Sequence, residues 1–82
     1  NAATVVVVFN AMSNGAIVMP VDERGFSTAD SRVIHFRNLK EAYNYLTNNG
    51  YSNISEEMQI QIALGLVHSN SHDDSWWRKG QL

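Results

Sequence analysis

Five consecutive positions, Val5-Val6-Val7-Val8-Phe9, are apolar without a break, and four of them are β-branched. Branching at Cβ restricts the side chain in a helix and suits a pleated strand. A strand with one wet face would alternate apolar and polar residues. This one does not, so it predicts a central strand with both faces at least partly covered. The cover for its second face is expected from the carboxy-terminal tail or from a second copy of the chain.

The rest of the chain is read outward from that strand. Asn14-Gly15 offers the pair of positive-φ residues that a type I′ turn needs, and Ala16-Ile17-Val18-Met19 follows as a second strand ending near Pro20. Residues 22–31 are polar and read as a loop. Arg32-Val33-Ile34-His35-Phe36 reads as a third strand.

A helix is predicted over about 39–48. Asn38 and Glu41 have the spacing of a capping box, and Leu39, Ala42, Tyr43 and Leu46 share one helical face. Gly50 supplies the left-handed residue of a Schellman motif, which lets Tyr51 touch Leu46.

Met58 to Val67 fits two patterns. Met58, Ile60, Ile62, Leu64 and Leu66 alternate as in a strand, yet Glu57, Gln61, Gly65 and His68 share one narrow arc of a helical wheel. Asn53 or Ser55 as a cap, acidic Glu56 and Glu57 in the first turn, and good helix formers favour a helix over about 55–68.

These elements predict an α+β domain. Its sheet is antiparallel with three strands, or four if Met58–Val67 is extended, and one or two helices pack on one face in the order β-β-β-α-α. Eighty-two residues make one domain over 1–82, with 69–82 as a polar exit and Trp-rich tail.

Composition limits the chemistry. Six Lys and Arg against eight Asp and Glu give a formal charge of −2, which supplies no global field for nucleic acid or an anionic membrane. The absence of cysteine excludes disulfides, thiolate catalysis and thiolate zinc sites. No apolar run approaches a membrane span of roughly 20 residues, and Ala2–Phe9 lacks the basic start of a signal peptide. The expected location is the cytoplasm, with the first two residues set aside from functional argument.

Candidate sites are few, and no cofactor is expected. Trp76-Trp77-Arg78-Lys79 is the most unusual stretch. Trp and Arg are enriched at binding hot spots, so these four residues, with His35 on the third strand, are the candidate partner-binding set. The competing reading folds the two Trp rings back onto the domain. His68 and His72 stand four apart, followed by Asp73 and Asp74, a weak metal-binding candidate with poor helix formers between the imidazoles. Asp22, Glu23 and Asp30 bracket the long loop but match no calcium loop. No GxSxG elbow or glycine-rich phosphate cradle is present.

The functional expectation is a non-enzymatic protein-interaction or regulatory domain that forms a homodimer or other self-association. One alternative is a small nucleic-acid-binding module using Arg32, Arg37, Arg78, Lys79 and the tail tryptophans, disfavoured by the acidic balance. Another is a metal-dependent hydrolase built around His35, His68 and His72.

Overall fold

In a computed structural model, which describes residues 3–28, 32–70 and 73–80, the apolar run forms β1 (Thr4–Asn10). β2 (Gly15–Val21) pairs antiparallel with it from Thr4↔Val21 to Asn10↔Gly15. The connection is not a two-residue type I′ turn. Residues 11–14 form the turn, Asn14 alone takes a left-handed φ of 59°, and Gly15 already belongs to the strand.

Pro20 does not stop β2, because it pairs with Val5. The third strand, β3 (Ile34–Phe36), reaches only Ala16–Val18, so β2 has no β3 partner at Pro20. That is the edge-like setting in which a strand tolerates proline.

Helix α1 (Leu39–Asn48) has the predicted bounds. The Asn38 side chain accepts a hydrogen bond from the Glu41 amide at 2.9 Å, and Gly50 follows with φ 82°. The chain then makes a short strand, β4 (Tyr51–Asn53), before α2 (Ser55–Ala63). The helical reading of this segment holds, but its N-cap is Ile54 with no side-chain cap bond, and Asn53 Oδ1 instead accepts from the Ser55 amide at 2.9 Å. The helix ends earlier than predicted, just ahead of Gly65, whose φ of 76° leaves the helical region.

The largest correction concerns the tail. Asp73–Lys79, expected as exit and tail, is strand β5. It pairs antiparallel with β1 on one side and β4 on the other, giving a five-stranded sheet in the order β3-β2-β1-β5-β4. The expected three or four strands and the order β-β-β-α-α become five strands in the order β-β-β-α-β-α-β. The cause is the Trp pair. Neighbouring residues on a strand point to opposite faces, so Trp76 and Trp77 each enter a different core.

The helices do not share a face either. Val5, Val7, Ala16, Val18 and Trp77 pack with Ala42 and Leu46 of α1. Val6, Val21 and Trp76 pack with Met58 of α2 on the other side, with Ile54, Ile62 and Val67 around them. β1 is therefore central and covered on both faces, as its unbroken apolar run demands. The second face is covered by α2, which removes the need for a tail or a second copy there.

Candidate interaction surface

Each half of the molecule leaves different groups outside, and the α2 side leaves the most apolar surface. Met58 of α2 points into the core, and Ile62 packs at its edge. Ile60 and Leu64, one helical turn apart, face outward at 59% and 65% exposure, and Leu66 just beyond is 59% exposed. A surface helix ordinarily presents polar residues there. Scattered exposed leucines need no explanation, but a row of them with a neighbouring exposed aromatic ring does.

That ring is Phe26. It stacks on His68 with centroids 4.5 Å apart and planes 4° from parallel. The His68 amide donates to the Arg24 carbonyl at 2.7 Å, which fastens the loop after β2 onto the segment after α2. Gly25 makes that approach possible. Its φ is 90°, and a Cβ placed there would lie 2.2 Å from the His68 carbonyl oxygen. Arg24, Phe26, Leu66 and His68 together rim a shallow depression beside the α2 row.

The residues singled out from the sequence fall elsewhere. Trp76 and Trp77 are 1% and 8% exposed. Trp76 donates its amide to Ser55 Oγ at 3.0 Å, and Trp77 donates Nε1–H to Ser75 Oγ at 2.8 Å. Their rings are core, so the fold-back alternative describes them. Arg78 donates to Glu57 at 2.9 Å, tying β5 to α2, and Lys79 is exposed. His35 is exposed on β3 opposite Ile17, away from the Ile34 and Phe36 side that meets α1. These five residues do not form one surface.

His72 and Asp30 lie outside the described residues, so the spacing of His68 and His72 has no geometry to report. Asp73 belongs to β5 and accepts from the Asn70 amide at 3.1 Å, while His68 is engaged with Phe26. Asp22 accepts the amides of Arg24 and Phe26, which makes it an organiser of the loop. Among the described residues, no three His, Asp or Glu side chains are grouped to hold a metal ion.

Arg37 and Tyr51 have shifted protonation equilibria. The Arg37 guanidinium is raised by its hydrogen bond to Glu41 and by that carboxylate's charge. The Tyr51 phenol is raised by burial and then by Tyr45.

The outward apolar surface of α2 is not apparent from the sequence, because the alternation of Met58, Ile60, Ile62, Leu64 and Leu66 fits a strand as well as a helix. Only the helical reading carries the signal: a helix that is apolar nearly all round must be buried on both sides or leave one side for a partner. Among the described residues no helix is long and apolar enough to cross a membrane. Compared with protein-family models, with curated proteins and with solved structures, the chain matches none.

Proposed function

We propose that this chain is a non-enzymatic protein-interaction domain that self-associates through the outer face of α2. The observation that carries this reading is the exposed row of Ile60, Leu64 and Leu66. Removing such side chains from water is worth roughly 25 cal/mol per Å² of apolar surface.

A second copy suits this surface better than an unrelated partner. The exposed Ile60, Leu64 and Leu66 side chains protrude from the surface, and Leu66 also rims the depression it shares with Arg24, Phe26 and His68. A two-fold contact needs a patch that is complementary to itself, and protruding side chains beside a hollow meet that need. Antiparallel α2 helices would also oppose their dipoles. Glu56 and Glu57 at the start of one helix would approach the end where Arg24 of the other copy is held. Those charges favour the antiparallel arrangement over the parallel one.

Sedimentation equilibrium from about 1 μM to about 1 mM protein, the span in which weak association appears, tests the reading. The native chain should shift from monomer to dimer across that range. Leu64→Gln/Leu66→Gln should remain monomeric with an unchanged circular dichroism spectrum. A native chain that stays monomeric throughout refutes self-association by this face.

A further inference from the structure

At the opposite end of the sheet, three strand spacings or about 14 Å from β5, β3 presents a different kind of surface. It is an edge strand, and among the described residues no strand pairs with its outer side. An unpaired edge offers a row of backbone donors and acceptors to another extended chain. Ile34 and Phe36 lie on the α1 side of this edge, and Tyr45 of α1 packs its ring 5.3 Å from Phe36. Val33, Ile34 and Tyr45 are all exposed.

The charge around the edge is opposite to that of the whole chain. Residues 32–41 hold Arg32, Arg37 and Lys40 against Glu41 alone, whereas the chain carries a formal charge of −2. Arg32 and Arg37 bracket the run 33–36, of which Val33, Ile34 and His35 are exposed, and among the described residues Arg37 pairs with Glu41 at 2.7 Å while no carboxylate pairs with Arg32 or Lys40. Two copies meeting edge to edge would bring both sets of cations together, an arrangement like charges disfavour. An acidic strand would meet complementary charge.

We propose that the outer edge of β3 binds an extended acidic segment of a partner protein by strand addition. Backbone hydrogen bonds to Ile34–Phe36 supply the frame. One alternating row of apolar side chains covers Ile34, Phe36 and Tyr45. The other row faces His35 and Arg37, and carboxylates at the ends of the segment are drawn to Arg32 and Lys40, which flank the strand. The surface is separate from the α2 face, so the two proposals stand or fall independently.

The test uses Leu64→Gln/Leu66→Gln protein, so that self-association through α2 does not intrude. The probe is a fluorescent seven-residue peptide alternating Glu and Val, and its match has Lys for Glu. The acidic peptide should bind about tenfold more tightly or better at low salt, and the advantage should shrink as salt screens it. Amide hydrogen exchange at Ile34–Phe36 should slow when it binds. Arg32→Glu/Lys40→Glu, two exposed changes, should abolish the preference while leaving the thermal transition in place.

Equal or absent binding of the two peptides overturns the proposal. So does protection of the β4 edge in place of β3. Tighter binding of oligothymidylate with the same residues protected would reassign the cations to nucleic acid. Protection of β3 at high protein concentration without peptide would make a second copy its occupant.

Discussion

Val6 and Trp76 are directly paired across β1 and β5, and both side chains lie on the α2 face with 0% and 1% exposure. The contact joins the two ends of the chain at the centre of the sheet. Trp76 also fixes α2, since its amide donates to Ser55 Oγ and its carbonyl accepts from the Ile54 amide at 2.8 Å.

Trp76→Ala should therefore do more than empty a cavity. Large-to-small changes at buried aromatic positions cost about 3–5 kcal/mol, comparable to the whole stability of a domain this small. Urea unfolding followed by far-ultraviolet circular dichroism should find the variant largely unfolded without denaturant. Lys79→Ala, on the same strand but exposed, should stay within about 0.5 kcal/mol of the native chain. A Trp76→Ala variant with a native midpoint would contradict the central position of β5.

Gly25 makes a second, sharper case. Ala at this position has to hold φ at 90° while its methyl meets a backbone carbonyl 2.2 Å away and Trp76 at 3.1 Å. A carbonyl in a hydrogen-bonded segment cannot rotate aside as a long side chain would. Gly25→Ala should cost about 1–3 kcal/mol from backbone strain alone. Hydrogen exchange should show lost protection at His68, whose amide is bonded to the Arg24 carbonyl. Retained protection there would mean that the loop and the segment after α2 are not docked through Gly25.

Physical signals in the sequence were uneven between elements. α1 was legible because its start, face and stop are each written in residues: Asn38, the Leu39–Leu46 stripe and Gly50. β1 announced that it was central, since alternation vanishes when both faces are buried. β5 carries the same message in Trp76-Trp77, but Asp73, Asp74, Arg78 and Lys79 around it read as a polar tail. β4 is three residues long, too short for any periodicity. The placement of the helices on opposite faces needed β5, because Trp76 completes the second core. The outward row on α2 was hidden by the same ambiguity that left Met58–Val67 readable two ways.

The cap of α1 permits a graded prediction. Asn38 satisfies the Glu41 amide from an extended backbone, with φ −159°. Asn38→Ala should lose about 1 kcal/mol, while Asn38→Ser or Asn38→Asp should retain most of the stability. Thermal unfolding of the three variants in parallel reads this directly. If all three were equally destabilised, the loss would have a source other than the cap.

Alkaline stability tests the packing around β4. Burial, and then Tyr45, hold the Tyr51 phenol above the usual tyrosine value of 10.0. In the unfolded chain Tyr51 regains the ordinary value, so between the two values the unfolded state releases its proton more readily than the folded one. The stabilising contribution is thus present in full below about pH 10 and is lost as pH rises through the folded-state value. Urea midpoints measured from about pH 8 upward should be level and then fall once tyrosine begins to ionise. Tyr51→Phe cannot ionise and should fall less over the same interval, with the remaining decline set by the other titrating groups. An identical decline in both proteins would show that Tyr51 is as hydrated in the folded chain as in the unfolded one. That result would also loosen β4 from its place beside β5.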